Sequence, residues 1–592
     1  MSGSAIARGA VIILVATTAG CERSPSAPDP DVSPSCEPVL LDAGESAMVR
    51  GGDARLICVL APPGGGEHIA VVTLGRTKPV ELTVLREDIV SLSEGPFSES
   101  LRGAGAGRAF EVEDAATAET FDSEAASAHA PHHSGWSLHA RVRKLERAQL
   151  TPRIDPAGVA PLGMRTGPRS ATLTEGDVLT LNVSTELEQT CEDGTYRVGR
   201  VEAVSERAIV VSDPLNPDGG FGAEDFHGFA AAFDTLVAPL AEEHFGEPTD
   251  LDGNGRVILL FTREVNRHVD EMSGGFSPGF FFARDLFPRT PVPGGRLGAC
   301  PHSNEAEVLY LLVPDPEGEI DGIVREREAV ERIMLSVLIH EYQHLINAGR
   351  RLHGPQGREW PERVWLDEAL SHMAEELLFY RASGLEPGGN IGFPALQAAG
   401  PQALEAFERH QRFNLVRFHQ FLQAPGANSP FNPEAEDALA TRGAAWSFLR
   451  YAADRVDGPE ASFLGSLVES PITGFDNLAS AVGGVETLQD WLGDWHTANL
   501  VDERIGGIAQ HHRHASWNFP SLFEALRNLS PQPLPVVSIN PGEEQVHRIT
   551  GGGSAYLFFL LGFRGDEGSI LEFTQSGANP PEALRVSIVR TR

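Results

Sequence analysis

Two histidines and a glutamate stand at a spacing that suits a metal centre. His340, Glu341 and His344 form an H-E-x-x-H pattern, and a mostly apolar run at 333–339 leads into it. Four residues make just over one helical turn, so His340 and His344 project from the same face of a helix. Two imidazoles placed in this way can ligate one Zn²⁺, while Glu341 can reach a water molecule beside the ion.

A catalytic zinc also needs a third protein ligand and an open position. Glu368 is the candidate, because it follows His344 by 24 residues and lies in a second helical pattern. Apolar residues recur there at spacings of three, four and seven between positions 366 and 378, which indicates an amphipathic helix. Glycine and proline at 354–357 break the chain between the two helices, whose packing would bring Glu368 toward the histidines.

The simplest competing explanation is a chance match, since the chain has 20 histidines and short motifs carry a false-positive risk. A chance match would more often fall in a loop or on a polar face. Here an apolar helical run precedes the motif and a helix that carries Glu368 follows it, so we prefer a metal site.

These two helices resemble the zinc signature of the gluzincin metallopeptidases. The sequences His340-Glu-Tyr-Gln-His-Leu-Ile-Asn and Trp365-Leu-Asp-Glu-Ala-Leu-Ser-His-Met-Ala-Glu-Glu look most like the hyicolysin-type branch of that group. The resemblance covers residues 172–520 and includes weaker matches at 250–255, 274–276 and 303–310. It implies an α+β chain with a zincin-like two-lobed metallopeptidase domain, and one catalytic zinc on His340, His344 and Glu368.

The chemistry expected of this site is hydrolysis of a peptide bond. Zinc would lower the pKa of its water and polarise the carbonyl, and Glu341 would act as general base and then protonate the leaving amine. The resemblance also implies a Tyr or His, after the ligand helices, that stabilises the oxyanion. The sequence alone does not indicate which side chain donates a hydrogen bond to the oxyanion. The available donors are Arg442, Tyr451, His511, His512 and His514.

Polar residues on the second helix could orient the zinc ligands from behind. The candidates are Asp367, His372 and Glu375. His372 follows Glu368 by four residues and so shares its helix face, where it could be a fourth ligand that closes the site. The simpler alternative for His372 is a packed polar residue.

Two segments before the zinc helix could bind a peptide or a second cation. A strand begins at Asn304, Glu305, Ala306 and Glu307. The resemblance to gluzincins implies that this strand forms the rim of the cleft, where an open sheet edge could pair with an extended substrate; the alternative is a central strand. In an earlier loop, alternate oxygen side chains can hold Ca²⁺, but the twelfth position lacks the Glu of an EF-hand, and a plain turn is the alternative. The residues of that loop are Asp250, Asp252 and Asn254.

The composition limits the partners. The chain of 592 residues is too long for a single core, and a hydrophobic fraction of 41% is ordinary for globular domains. Its 82 Asp and Glu against 47 Lys and Arg give a net charge of −35. Such a field repels nucleic acid and anionic lipid, which excludes both as partners and leaves a peptide or protein as the expected substrate. No feature of the sequence indicates an oligomeric state.

The first 21 residues look like a bacterial signal peptide that ends in a lipobox. Thr18-Ala-Gly-Cys21 predicts a lipid anchor on Cys21, and hence a location in the cell envelope or outside the cell. Thr18 departs from the usual Leu, which keeps an ordinary secretory signal open. The anchor would be the chain's means of contact with a membrane.

Composition and pattern divide the rest of the chain into five parts. They are a spacer at 22–35, a β-rich N-terminal domain at 36–102, a linker at 103–170 with a short helix near 140–148, the metallopeptidase domain at 171–525 and a β-rich C-terminal domain at 536–592. The two β-rich parts would be small β-sandwich-like domains that flank the enzyme.

With Cys21 set aside, an even number of cysteines remains, which in an exported protein suggests two disulfides. Sequence order favours Cys36–Cys58 and Cys191–Cys300 among the three pairings.

Three functions compete at this point. The first is an exported zinc endopeptidase; the second is a cell-surface binding protein with an inactive peptidase fold; the third is an aminopeptidase. The intact Glu341 favours an enzyme over the binding protein, because loss of that carboxylate is the simplest way to inactivate such a site. No segment marks a pocket for an N-terminal amine.

Overall fold

The computed structural model describes residues 38–62, 64–89, 142–158, 173–184, 190–267, 278–355, 358–431, 438–526, 529–562 and 568–592. Helices and mixed sheets both occur in these residues, so the predicted α+β class is confirmed. The signal peptide with Cys21, the spacer, Cys36, most of the linker and Gly274-Gly275-Phe276 lie outside them. Within the described ranges, no helix is long and apolar enough to cross a bilayer.

The described chain begins with five strands, numbered here along the sequence. They are β1 (Pro38–Val39), β2 (Ser46–Arg50), β3 (Leu56–Leu60), β4 (Gly66–Leu74) and β5 (Val80–Ile89). The next described residues, 142–158, are called the arm below. They are helical at 142–145 and on through Glu146–Leu150 and Thr151–Arg153, and a turn follows Ile154. The short helix predicted near 140–148 is thus present in the described residues and continues to Arg153.

A mixed six-stranded sheet forms the centre of the molecule. Its strands are β6 (Val178–Asn182), β7 (Tyr196–Val204), β8 (Ala208–Ser212), β9 (Val257–Phe261), β10 (Gly279–Phe281) and β11 (Val308–Leu311). Their order is β10-β11-β9-β8-β7-β6, with β8, β9 and β11 parallel and the other pairs antiparallel. All five residues of β9 are buried, as expected for a strand covered on both faces.

The edge of this sheet lies at β10, which corrects one expectation. β11, the strand that follows Asn304–Glu307, pairs with β10 on one side and β9 on the other, so it is central. The Asn304 amide donates to Tyr310 Oη over 2.9 Å, and the Asn304 backbone N–H donates to Asp285 Oδ1 over 3.0 Å. These contacts tie the turn to the sheet. The side chains of Asn304, Ala306 and Glu307 are buried there and do not lie at an open edge.

Helices pack on the sheet and make up most of the described chain between β11 and residue 535. Before the zinc motif lie α1 (Ala223–Ala232), α2 (Ala238–Phe245) and α3 (Arg263–Asn266). The two helices of the motif are α4 (Arg327–His353) and α5 (Val364–Ser383). The remaining helices are α6 (Phe393–Ala399), α7 (Pro401–Ala406), α8 (Arg412–Gln423), α9 (Leu439–Ala453), α10 (Glu460–Glu469), α11 (Gly474–Ala481), α12 (Val485–Val501) and α13 (Phe519–Ala525).

The last five strands complete a sandwich that the first five begin. They are β12 (Val536–Ser538), β13 (Glu544–Ile549), β14 (Ser554–Leu561), β15 (Gly568–Thr574) and β16 (Leu584–Arg590). One sheet has the order β1-β3-β15-β5-β13 and the other β12-β14-β4-β16-β2, so each sheet mixes strands from both ends of the chain. The two β-rich parts are therefore not separate flanking domains, because each supplies hydrogen-bond partners to the other.

A disulfide joins Cys191 to Cys300, with an S–S distance of 2.02 Å, which confirms this predicted pair. It links the loop after β6 to the loop before β11. Cys58 is also in a disulfide, whose other cysteine lies outside the described residues.

Candidate metal centre

Helix α4 carries the H-E-x-x-H motif into the interior, against the edge strand β10. Val330, Met334 and Val337 repeat at helical spacing on its buried side. A Cβ atom on Gly279 of β10 would lie 2.7 Å from Val337 Cγ1, so a glycine at this position allows the strand to approach the helix closely. His340, Glu341 and His344 follow on the same helix and are each at most 2% exposed.

Helix α5 brings Glu368 to the same place. Every residue from Val364 to Tyr380 is buried. The amphipathic pattern expected from the sequence therefore understates the burial, because α9 covers a further face of α5 that carries polar groups. These buried polar groups contact one another and the zinc motif, as burial of charge requires.

Three candidate ligand atoms converge between α4 and α5. Nε2 of His340 and Nε2 of His344 lie 3.2 Å apart. Oε2 of Glu368 is 3.5 Å from the first of these nitrogens, and Oε1 is 3.7 Å from the second. Ligands at the usual 2.0–2.2 Å from a tetrahedral zinc stand roughly 3.3–3.6 Å from one another, so this donor set fits zinc in kind and in spacing.

The other nitrogen of each ring fixes the direction of the lone pair. Nδ1 of His340 lies 2.7 Å from Glu375 Oε1, and Nδ1 of His344 lies 2.9 Å from Asp367 Oδ2. A carboxylate at Nδ1 holds the proton there and leaves Nε2 with its lone pair. Two lone pairs and the Glu368 carboxylate are thus aimed at one point, which favours a cation.

The electrostatics of these side chains favour a positive charge at the same place, either a proton or a metal ion. Burial disfavours a charged ring at His340, but hydrogen bonds to Glu368 and Glu375 raise its pKa to about 9. Burial lowers the pKa of His344. The pKa of Glu368 is held well below its usual value in spite of burial, first by Arg442 and then by the two histidines. The centre therefore stabilises positive charge.

Arg442, one of the candidate oxyanion donors, contacts a ligand. Its Nη1 lies 2.6 Å from Oε2 of Glu368, and both side chains are fully buried. Helix α9 can present it there because Gly443 packs against the backbone of α8, where a Cβ would lie 2.3 Å from Arg417 C. Arg442 thus holds the carboxylate of Glu368 from one side.

The other candidate donors lie together beside α12, each with partners of its own. Tyr451 donates to the carbonyl oxygen of His511 over 2.6 Å. His514 Nε2 lies 2.9 Å from Asn499 Oδ1, while His512 Nε2 lies 3.3 Å from the Asp494 carboxylate. Asp494, His511 and His512 form a group that could hold a metal ion, and the side chains of His512 and Asp494 already contact each other.

Asp367, His372 and Glu375 all lie on α5, in two different roles. Asp367 and Glu375 contact the Nδ1 atoms described above. His372 Nδ1 lies 3.2 Å from Glu375 Oε1 and 3.3 Å from Arg417 Nη1, so it contacts the carboxylate that holds His340. Burial lowers the pKa of His372 to about 3, which keeps this ring neutral.

The candidate calcium residues form a loop of their own before β9. Asp252 Oδ2 accepts a hydrogen bond from the Asn254 amide over 2.6 Å, and Asp250 Oδ1 accepts one from the Gly255 backbone over 3.0 Å. Asp250 and Asp252 lie close enough to Glu307 for the three to share an ion. Calcium binding at this loop stays a prediction.

Glu341, the predicted general base, lies against the edge strand. Its Oε2 accepts a hydrogen bond of 2.9 Å from the backbone N–H of Phe281. The short apolar run of β10 could have suggested a strand, but no local signal places that strand beside Glu341.

Two further polar residues reach the site from the arm and were not expected from the sequence. The Arg143 side chain is buried among carboxylates, and its neighbour Glu146 accepts a hydrogen bond from Ala283 N over 2.7 Å. The arm was predicted to belong to a linker, because residues 103–170 are poor in large apolar side chains.

Comparison with known proteins gives one partial match to report. Over 145 residues the chain is 34% identical to a neutral metalloprotease, ShpI, of Staphylococcus hyicus. The match covers 24% of this chain and 29% of that protein, so the chain spans less than a third of the relative it matches. No family model matches the chain. The similarity supports a metalloprotease family, and with His340, His344 and Glu368 it supports a metal cofactor.

Proposed function

We propose that this chain is an exported zinc-dependent endopeptidase of the hyicolysin type, with the two-lobed arrangement of the zincins. The observation that carries the proposal is the convergence of two imidazole lone pairs and the Glu368 carboxylate on one point. The partial similarity to a neutral metalloprotease supports the same class of reaction.

Each residue of the site has a role in hydrolysis. A zinc ion held by His340, His344 and Glu368 would supply Lewis acidity and lower the pKa of a bound water from about 16 toward 7. Glu341 accepts a proton as the water oxygen attacks the peptide carbonyl, and it returns that proton to the amine as the C–N bond breaks. Phe281 N–H, which donates to Glu341 Oε2, holds the base in position beside the zinc ligands.

Export is part of the proposal. The lipobox-like sequence at Cys21 supports a lipid-anchored protein of the cell envelope, and the Cys191–Cys300 disulfide is typical of an oxidising compartment. A Cys21→Ser variant should move from the membrane fraction to the soluble fraction. Unchanged membrane retention would exclude an anchor at that residue.

Hydrolysis of a fluorogenic peptide tests the enzymatic part. Zinc-loaded protein should cleave it, a chelator should abolish cleavage, and Glu341→Gln should lower the rate by about 10²–10⁴-fold while zinc stays bound. A peptide with an acetylated N-terminus should be cut equally well, because an endopeptidase needs no free amine. Zinc-loaded protein that cleaves no member of a peptide library would favour a binding protein instead.

A further inference from the structure

The outer edge of β10 is already occupied. Pairing with β11 uses one side of the strand, so Phe281 directs its backbone N–H and C=O to the other side. The N–H donates to Glu341, and the C=O accepts a hydrogen bond of 3.3 Å from Arg143 Nη2. Two residues further along, Ala283 N donates to Glu146 Oε1 over 2.7 Å. Side chains of the arm thus take two of the three backbone groups.

The arm holds these side chains firmly. Arg143 Nη1 and Glu146 Oε2 lie 2.6 Å apart, and both side chains are almost completely buried. Further along, Ile154 forms an antiparallel bridge with Leu297, and Arg153 donates to Ala299 O over 2.8 Å. Asp155 N donates to Arg296 O over 2.8 Å. The arm is therefore bound to the metallopeptidase region along most of its length.

Arg143 also adds a positive charge beside the catalytic carboxylates. Burial disfavours its charged form, but Glu146, Asp367, Glu368 and Glu341 together raise its pKa. The guanidinium thus stands within electrostatic reach of the general base and of a zinc-ligand candidate. A substrate carbonyl that approached Glu341 along β10 would meet this side chain.

An open sheet edge binds an extended peptide through its backbone N–H and C=O groups. Here a peptide could pair with the Phe281 C=O and with the Ala283 N–H, just beyond β10, only after Arg143 and Glu146 had left. The Phe281 N–H would stay with Glu341. We propose that the arm is an autoinhibitory segment, which occupies the substrate edge of the site and competes with peptide for it. This inference rests on the proposed peptidase function and adds a means of regulation to it.

The chain connections make the arm an intramolecular competitor. Strands β1–β5, which precede it, are built into the sandwich together with the C-terminal strands, and the central sheet follows it. A displaced arm therefore stays joined to folded parts of the protein on both sides. The high effective concentration that results favours rebinding over the association of a dilute substrate.

The test compares full-length, zinc-loaded protein with the variant Arg143→Ala/Glu146→Ala. Two quantities are measured: kcat/KM for an acetylated fluorogenic peptide, and the affinity for a peptidyl hydroxamate, a probe that binds the metal and the substrate edge. Freeing the edge should raise kcat/KM and hydroxamate affinity by at least about tenfold, the effect of some 1.4 kcal/mol. Arg86→Ala, which removes a buried arginine from the sandwich, is the control and should raise neither.

The outcomes separate the two proposals. If wild type and double variant cleave the peptide and bind the hydroxamate equally well, the arm does not block the edge and this inference is overturned, while the peptidase function stands. If neither protein cleaves or binds although each holds one zinc, the peptidase function itself fails. If the double variant does not fold, Glu146→Gln takes its place. This change keeps the shape of the side chain but weakens its contacts with Arg143 and Ala283, so kcat/KM should still rise about threefold. No rise in kcat/KM would overturn the inference.

Discussion

Nδ1 of His340 lies 2.7 Å from Oε1 of Glu375, on the side of the ring opposite to Glu368. This contact favours the proton on Nδ1 and so leaves the Nε2 lone pair for the proposed zinc ion. Replacement of Glu375 by Gln keeps the shape but removes the charge that sustains this tautomer. We expect the zinc dissociation constant to rise about 10–100-fold, as for other partners of ligand histidines.

Competition with a chromophoric chelator measures that constant. Glu376→Gln is the matched control, because Glu376 is buried on the same helix but accepts hydrogen bonds from Trp446 and Trp517 instead of a histidine. It should leave zinc affinity unchanged. Equal affinities in wild type and Glu375→Gln would show that the tautomer does not depend on this carboxylate.

Arg442 pairs with Glu368, and a zinc ion bound there would neutralise the same carboxylate, which leads to a second prediction. Arg442→Met leaves the buried carboxylate without its arginine, so the metal-free protein should lose about 3–5 kcal/mol of stability. Zinc should restore part of this loss, because it provides a new positive partner. The stabilisation produced by zinc should therefore be larger in the variant than in wild type.

Denaturant unfolding with and without zinc gives these free energies. Arg450→Met serves for comparison, since Arg450 is a buried arginine on the same helix that pairs with Asp454 and Glu460. Arg450→Met should destabilise the metal-free and the zinc-bound protein equally. The account of Arg442 would be wrong if zinc stabilised wild type and Arg442→Met by the same amount.

Glu307 should make stability depend on pH. Burial raises the pKa of this carboxyl to about 7 from an ordinary value of 4.5. Between these values the folded protein binds a proton that the unfolded chain has lost, so the contribution is fully present below pH 4.5 and is lost as pH rises through 7. Glu307→Gln cannot ionise, and relative to wild type it should gain about 3 kcal/mol between pH 4.5 and 8.

Unfolding free energies of metal-depleted protein at pH 4.5, 6 and 8 test this difference. Glu305→Gln, two residues earlier, is the control, because the Glu305 side chain is 43% exposed. Its free energy of unfolding should follow that of wild type throughout. A constant difference between wild type and Glu307→Gln at all three pH values would mean that Glu307 stays ionised in the folded protein.

The two zinc helices could be predicted from sequence because their signals are local. The helical period alone places His340 and His344 on one face. To predict that Glu368 lies beside the histidines, one further step was needed, namely the packing of a second helix on the first. The spacing of the apolar residues in that second helix was enough to predict this packing. Arg442 was found as a polar residue in the right region, but its contact with Glu368 depends on how closely α9 packs.

The arm and the edge strand could not be predicted in the same way. Arg143 meets Phe281 across 138 positions of sequence, and no periodic pattern records such a contact. The segment around it is poor in large apolar residues, so its composition indicated a linker. Two apolar residues, Val142 and Leu150, are buried with it, but they are too few to mark the segment as part of the core. The other buried contacts come from two polar side chains that satisfy backbone groups, a signal that hydrophobic patterning does not contain.

The pairing of strands in the β-sandwich could not be predicted from the sequence either. Alternation and turn residues predicted β-rich parts at both ends of the chain, and the structure has strands there, such as Gly66–Leu74. Which strands pair is a long-range choice, and here β4 lies between β14 and β16, almost 500 residues away in the sequence. Local strand patterns favour hairpins within each part, so two separate domains were expected in place of one.

The central claim is that His340, His344 and Glu368 hold one zinc ion together. Metal analysis of purified, zinc-dialysed protein tests it most directly, with wild type measured beside Glu368→Ala and with circular dichroism to verify folding. We predict about one zinc per wild-type chain and a large loss of zinc from the folded variant. Equal zinc content in the two proteins would remove Glu368 from the ligand set and contradict the account.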